Sequence, residues 1–174
     1  MSGPTIQELL DRNERLSTWF RPAKFFSEIS TPRSPKILMV SCLDPRSQPE
    51  EIFGLQFAEA LSFRNLGGRV ASVHDDIVGL DSLLRFEHVI IIHHTDCALL
   101  HYTSDQVREG VRKLPGVTAE EAESLVLPNF SSLEDSVRED MEHLKKSKVI
   151  RPELKEAIKG FVFDIKTGLI KQVE

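Results

Sequence analysis

Five residues in two short stretches have the types and spacing to do chemistry together. Ser41-Cys42-Leu43-Asp44-Pro45-Arg46 and His93-His94-Thr95-Asp96-Cys97 hold both cysteines of the chain, a histidine at His-x-x-Cys spacing, and an Asp/Arg pair two residues apart. Thiolate sulfur and imidazole nitrogen are donors that tetrahedral zinc takes. Two thiolates and one imidazole leave its fourth position to water, the arrangement of catalytic rather than structural zinc. Zinc can bring the pKa of that water down to about 7. Side chains alternate along a strand, so His93 and His94 point opposite ways, and the His-x-x-Cys spacing selects His94. The expected metal site is therefore one Zn2+ on Cys42, His94 and Cys97. Asp44 and Arg46 follow the first ligand closely. A guanidinium can hold a carboxylate by charge-assisted hydrogen bonds, which keeps Asp44 ionised, oriented and off the metal. Cysteine is among the most buried residue types, so either cysteine alone reads as packing. His94 at ligand spacing and the dyad beside Cys42 decide for a metal.

Both stretches close apolar runs, Lys36–Val40 and His88–Ile92, that read as buried strands. The second, with three consecutive isoleucines, reads as central and buried on both faces. Ala60–Arg64 is a further strand, closed by Asn65-Leu66-Gly67-Gly68. In open α/β sheets ligands gather at the carboxyl ends of strands, and Cys42, Arg64 to Gly68, and His94 to Cys97 all fall there. Gly67-Gly68 could let a substrate approach the backbone, so Leu66, Gly67 and Gly68 are the candidate substrate pocket.

Helical signals fill the intervals. Thr5-Ile6-Gln7-Glu8 has the form of a capping box, and Ile6, Leu9, Leu10, Leu16, Trp19 and Phe20 follow on one face. This helix precedes the first strand, and packing across a neighbouring surface, such as a second subunit, suits it. Pro32 and Pro35 break the chain after it. Pro49 with Glu50 and Glu51 starts a short helix that Gly54 ends. Asp75 or Asp76 is expected to cap a helix with Ile77, Leu80, Leu83 and Leu84 as its stripe. Another helix runs from about Ser104 to Lys113, and Val117–Pro128 reads as a loop with one helical turn. Ser131-Ser132-Leu133-Glu134 reads as a second capping box, before Leu133, Val137, Met141 and Leu144 at helical intervals. Pro152 starts a helix expected to stop at Gly160. Phe161–Ile165 is a strand, and Lys166-Thr167-Gly168 turns the chain into an antiparallel edge, Leu169–Val173. The fold class is α/β: a mostly parallel central sheet flanked by helices, a C-terminal antiparallel edge strand and an N-terminal helical arm. One domain is expected, residues 1–174, with an arm over 1–35 and the α/β core over 36–174.

Composition excludes several classes. A chain of 174 residues can bury about two thirds of its unfolded surface without a disulfide. With 22 basic and 27 acidic residues, bulk charge attracts no nucleic acid. No apolar run approaches the ~20 residues of a membrane span. The first twenty residues lack a secretory apolar run and carry Glu8, Asp11 and Glu14, so a cytoplasmic address is expected. There, cysteines point to metal or redox chemistry before a structural disulfide.

Cys42-x-Asp44-x-Arg46, Arg64-Asn65-Leu66-Gly67-Gly68 and His94-Thr95-Asp96-Cys97 resemble, in order and approximate separation, the three motifs of β-class carbonic anhydrases. Gly160-Phe161-Val162-Phe163-Asp164 matches as well, so the resemblance runs from about Ile37 to Val173. The chain's length is similar to that of the compact bacterial and fungal members. The resemblance implies zinc on Cys42, His94 and Cys97, an Asp44/Arg46 dyad, and reversible hydration of carbon dioxide to bicarbonate. It also implies a homodimer, or a higher oligomer built from dimers, with the active site near the subunit boundary. In some members the residue matching Asp44 replaces the water on zinc in a closed, inactive form. Pro45 stands where Ser or Ala is common, Leu66 where Ala is usual, and Ala98 where Gly is usual; a positive φ is therefore expected to be costly at Ala98. Leu66 opens a second reading, hydrolysis of carbonyl sulfide or carbon disulfide at the same zinc; a third is a silent zinc-binding homologue in which Asp44 permanently occupies the open site.

Overall fold

β-branched and apolar runs become five strands of one sheet: β1 (Ile37–Cys42), β2 (Ala60–Asn65), β3 (His88–His94), β4 (Ile158–Phe163) and β5 (Ile170–Val173). The structure, a computed structural model, describes residues 3–22, 25–28, 35–130 and 132–174. The strand order is β2-β1-β3-β4-β5. Pairing is parallel except between β4 and β5, the antiparallel edge. The expected fold class is the observed one.

The order places a switch point at the site. From β1 the chain steps to β2 on one side, then crosses to β3 on the other. The carboxyl ends of β1 and β3 therefore flank the crevice where α/β sheets bind ligands. Ser41 pairs with Ile92, which carries Cys42 and His94 to the same edge of the sheet.

Each face of the sheet is covered. Leu38, Val40, Val89, Ile91 and Val162 pack with Ile77 of α3 (His74–Leu84) and with Val137, Met141 and Leu144 of α6 (Leu133–Lys146). On the opposite face Met39, Ile92 and Phe163 meet Ile52 of α2 (Pro49–Ile52), Leu55 and Ile165. Two short helices, α4 (Ser104–Arg112) and α5 (Ala119–Glu123), lie between β3 and α6 in sequence, each opened by a threonine capping box. Among the described residues no helix is long and apolar enough to cross a membrane.

By its contacts the chain divides into two units, Met1–Arg33 and Ser34–Glu174. In the first, α1 (Ile6–Ser17) opens with the expected Thr5/Glu8 capping box. Its Ile6, Leu9, Leu10 and Leu16 are exposed; Trp19 and Phe20, also exposed, lie beyond the helix end.

Several boundaries differ from expectation. The first strand runs on through Ser41 and Cys42, because both continue the pairing with β2. Neither Asp75 nor Asp76 caps α3, which starts at His74; both sit in its first turn, where the helix dipole still favours them. Leu83 faces solvent, leaving Ile77, Leu80 and Leu84 as the buried side of that helix. The box expected at Ser131 and Glu134 shifts by one: Ser132 is the cap, accepting from the Asp135 amide, and Ser131, like Pro32, lies outside the described residues. The helix at Pro152, α7, ends at Glu156 rather than Gly160.

Gly160 instead lies within β4, opposite Ile91. Pairing with β3 overrides its weak strand preference, and its missing side chain has a purpose. A Cβ there would sit 2.3 Å from Val137 Cγ1 and 2.9 Å from Met141 Sδ. Glycine thus lets α6 approach the sheet closely enough to set Ser136 and Asp140 against His93. Gly160→Ala should destabilise the protein by about 1–3 kcal/mol, the usual cost of overpacking. Urea unfolding checks this: the midpoint should fall, and an unchanged midpoint would show that α6 yields freely.

Candidate metal centre

Cys42, the last residue of β1, and His94, the last of β3, converge with Cys97 from the loop that follows β3. All three are buried, and one ligand atom from each lies within 4.8 Å of the others. Among the described residues no other His/Cys/Asp/Glu group meets this test.

The histidine is prepared as a ligand. His94 Nδ1 lies 2.9 Å from the Thr95 carbonyl, an acceptor only, so Nδ1 carries the proton. This leaves the lone pair on Nε2, a buried atom with no hydrogen bond of normal geometry. A backbone acceptor that orients the ring is the usual support of a metal-bound imidazole. His93 turns the other way. Its Nδ1 meets Ser136 Oγ at 2.7 Å and its Nε2 meets Asp140 at 3.1 Å, with Phe130 stacked on the ring. Strand alternation separates the two histidines as expected.

The two sulfurs lie 3.9 Å apart. The hydrogen bond with Cys97 pulls the Cys42 thiol down to about 4, helped by His94 and by the amides of Asp44 and Gly67. The same contact, with burial, pushes Cys97 up. The pair thus favours ionisation of Cys42 first, and a divalent cation there would stabilise both as thiolates. Burial works against charge on His94, but the Cys42 sulfur and the Thr95 carbonyl outweigh it and raise its pKa. An orphaned buried nitrogen beside a charged sulfur pair is a donor set that fits zinc.

Asp44 stands over this set, its Oδ2 3.9 Å from His94 Nε2. Arg46 grips it by Nε at 3.0 Å, by Nη2 at 2.7 Å and by its own amide at 2.8 Å. Those bonds bring the Asp44 carboxyl down to about 2, despite burial acting the other way. The Asp44/Arg46 ion pair read from the sequence is therefore formed, with the carboxylate beside His94 of the Cys42, His94 and Cys97 cluster.

Neighbouring elements hold the backbone of these loops. Arg64, in β2, donates to the Cys42 carbonyl at 3.1 Å and the Asp44 carbonyl at 2.8 Å, so it ties the loop after β1 from below. Gly68 has φ +72, and a Cβ there would lie 2.9 Å from the Cys42 nitrogen. Gly67, at φ +77, leaves room for Leu99 and Phe130. Both glycines are buried, while Leu66 is half-exposed and lines a cavity of about 380 Å3 with Asn65, Arg69 and Val126 to Pro128. Ala98 takes no positive φ and so bears no such cost; Asp96 does take one, at +58. The turn is made one residue before Cys97, and Asp tolerates that conformation better than Ala.

The sequence pattern named the clustered Cys42, His94 and Cys97 and the Asp44/Arg46 pair but not what steadies them. Arg64 was legible as a motif residue without a role. Asp96, which binds Arg46 Nη1 at 2.9 Å, carried no local signal beyond its charge.

A mostly parallel α/β sheet with a Cys, His, Cys cluster at its switch point that could hold a metal ion defines an α/β protein of the open-sheet class. The family model described as carbonic anhydrase matches residues 37–170. Beta-carbonic anhydrase 1 of Mycobacterium tuberculosis is 29% identical over 156 residues, which cover 86% of this chain and 88% of that one. The solved structure of a carbonic anhydrase from Glaciozyma antarctica is similar with a TM-score of 0.80 and 30% identity, covering 97% of this chain and 98% of that one. Over 80 residues, 44% of this chain and 38% of the other, a carbon disulfide hydrolase of Saccharolobus solfataricus is 32% identical. The chain belongs to the carbonic anhydrase family, in its β class.

Single substitutions test the donor set. Cys42→Ala, His94→Ala and Cys97→Ala should each lose most of the bound zinc, measured by elemental analysis after dialysis, whereas His93→Ala should retain it. Full zinc in the Cys97→Ala protein would contradict the assignment.

Proposed function

We propose that the protein catalyses the reversible hydration of carbon dioxide to bicarbonate, with one zinc ion per subunit held by Cys42, His94 and Cys97. The observation that carries this reading is the buried, unpartnered His94 Nε2 beside the two cysteines, in a chain of the carbonic anhydrase family. A zinc ion there supplies a Lewis acid that makes water nucleophilic near neutral pH.

The chain's own residues do the rest. Asp44, kept ionised, can only accept hydrogen bonds, so a water in front of it must turn a proton toward Oδ2 and a lone pair toward the substrate carbon. Arg46 balances the carboxylate charge and withholds it from a cation. Gly67 and Gly68 offer backbone rather than side chains beside the donors, and Leu66 lines the adjoining cavity with Asn65, Arg69 and Val126 to Pro128. A small linear molecule without hydrogen donors suits such surroundings.

A second reading has its own support. Leu66 is bulkier than the Ala usual at this position, and carbon disulfide is a larger, more apolar analogue of carbon dioxide. The partial likeness to a carbon disulfide hydrolase points the same way. Carbonyl sulfide or carbon disulfide hydrolysis at the same centre is therefore the alternative.

Exposed apolar residues on α1 suit a homodimer, and two free cysteines suit a reducing cytoplasm. Residues 36–174 form the single α/β domain, with 1–35 as an arm.

Stopped-flow carbon dioxide hydration between pH 6 and 9, run beside hydrogen sulfide release from carbonyl sulfide and carbon disulfide, separates the alternatives. Carbon dioxide hydration should dominate; faster sulfide release would reverse the order, and zinc-loaded protein silent toward all three would leave a binding homologue. Asp44→Asn should lower kcat/KM by about 100-fold, the scale of a positioned proton-handling group, with zinc retained. Wild-type kinetics in that variant would refute the dyad's role.

A further inference from the structure

Arg46 serves two carboxylates. Its Nε and one edge of Nη2 hold Asp44, while Nη1 meets Asp96 Oδ2 at 2.9 Å and Nη2 also donates to the Asp96 carbonyl at 3.2 Å. The Arg46 side chain is about half exposed, at 48%, so these bonds rather than burial fix where the guanidinium sits. Asp96 is itself placed with care. It takes φ +58, which turns its carboxylate and its carbonyl together toward Arg46. His101 Nε2 meets its other oxygen, Oδ1, at 2.8 Å. Asp96 lies between two metal-ligand candidates in the loop His94 to Cys97, while Arg46 lies in the loop after Cys42. The bond between them ties the two halves of the metal centre across their solvent side.

Asp44 has two competing partners. Its Oδ2 is already 3.9 Å from His94 Nε2, close enough for a modest side-chain movement to make it a fourth ligand. Arg46 opposes that movement only while its own fork stays in register with the carboxylate. We propose that Asp96, steadied by His101, is a positioning residue that anchors Arg46 and thereby keeps Asp44 off the metal. Asp96 touches neither substrate nor metal in this role; it acts through Arg46. The inference rests on the reading of Cys42, His94 and Cys97 as a metal site.

Half-exposed ion pairs are modest, so removing Asp96 should raise the ratio of protein with Asp44 as a ligand to protein without it by up to about fivefold. Cobalt(II) in place of zinc reports this directly, because its visible absorption depends on the ligand set. Asp96→Gly removes the carboxylate and relieves the positive φ; Asp96→Asn keeps the shape and the conformation without the charge. Both variants should bind a full equivalent of cobalt and show absorption displaced from wild type. Pairing either with Asp44→Asn should abolish that displacement. In the zinc form, kcat/KM should fall about threefold to fivefold in both variants at unchanged zinc content. His101→Gln should move the spectrum the same way by less.

An unaltered cobalt spectrum in both Asp96 variants would overturn the inference. So would a displacement that survives Asp44→Asn, or loss of the metal from both variants, which would make Asp96 a plain structural part of the ligand loop. Wild-type protein that bound no cobalt would overturn the metal reading itself, and the inference with it.

Discussion

The pairing of β1 with β3 is the constraint on which the site depends. Ser41 opposite Ile92 brings the ends of two strands, distant in sequence, to one edge of the sheet. Cys42 lies one residue beyond Ser41 on β1, and His94 two residues beyond Ile92 on β3. A slip of one residue would turn His93 toward the cysteines and bury His94 against α6, because strand side chains alternate. The register is protected on both faces. Leu38, Val40, Val89 and Ile91 fill one side, and Met39 and Ile92 fill the other. His93 adds a polar lock, since its two nitrogens find Ser136 and Asp140 only in this register. Breaking that buried lock would leave unsatisfied groups, which costs more than the bonds themselves contribute.

From that constraint the loops follow. Both carry candidate ligands, and both are restrained by arginines as well as by the apolar packing of Phe130, Leu99 and Leu133 around Cys42 and Cys97. Arg64 reaches up from β2 to the carbonyls of Cys42 and Asp44. Arg46 reaches across from the first loop to Asp96 in the second. Planar guanidinium groups suit this work, since each can hold two acceptors in fixed directions. Glycines 67 and 68 make room where side chains would collide with Leu99 or with the β1 backbone. The centre is thus small, charged and hydrogen-bonded, set on a sheet packed with apolar side chains on both faces.

Much of this was legible in the sequence, for identifiable reasons. Three isoleucines before two histidines mark a central strand, and alternation alone distinguishes His93 from His94. The ligand spacing and the Asp44/Arg46 pair are local patterns, and local patterns survive translation into sequence. Gly160 was misread as a helix end because glycine is a breaker in either context. Its meaning depends on Val137 and Met141, residues about twenty positions away that only the fold brings near. The cap of α6 moved from Ser131 to Ser132 because adjacent serines offer equivalent hydroxyls, and only the backbone chooses between them. Asp96 and Arg64 act through partners fifty and twenty-two residues distant, so nothing local announces their roles.

The central claim is that two sulfurs and one nitrogen of this chain bind zinc. X-ray absorption at the zinc edge of the purified, zinc-loaded protein tests it most directly. The account predicts two sulfur scatterers at about 2.3 Å, one imidazole nitrogen at about 2.0–2.1 Å, and one light-atom ligand. A shell without sulfur, or with a single sulfur, would contradict it.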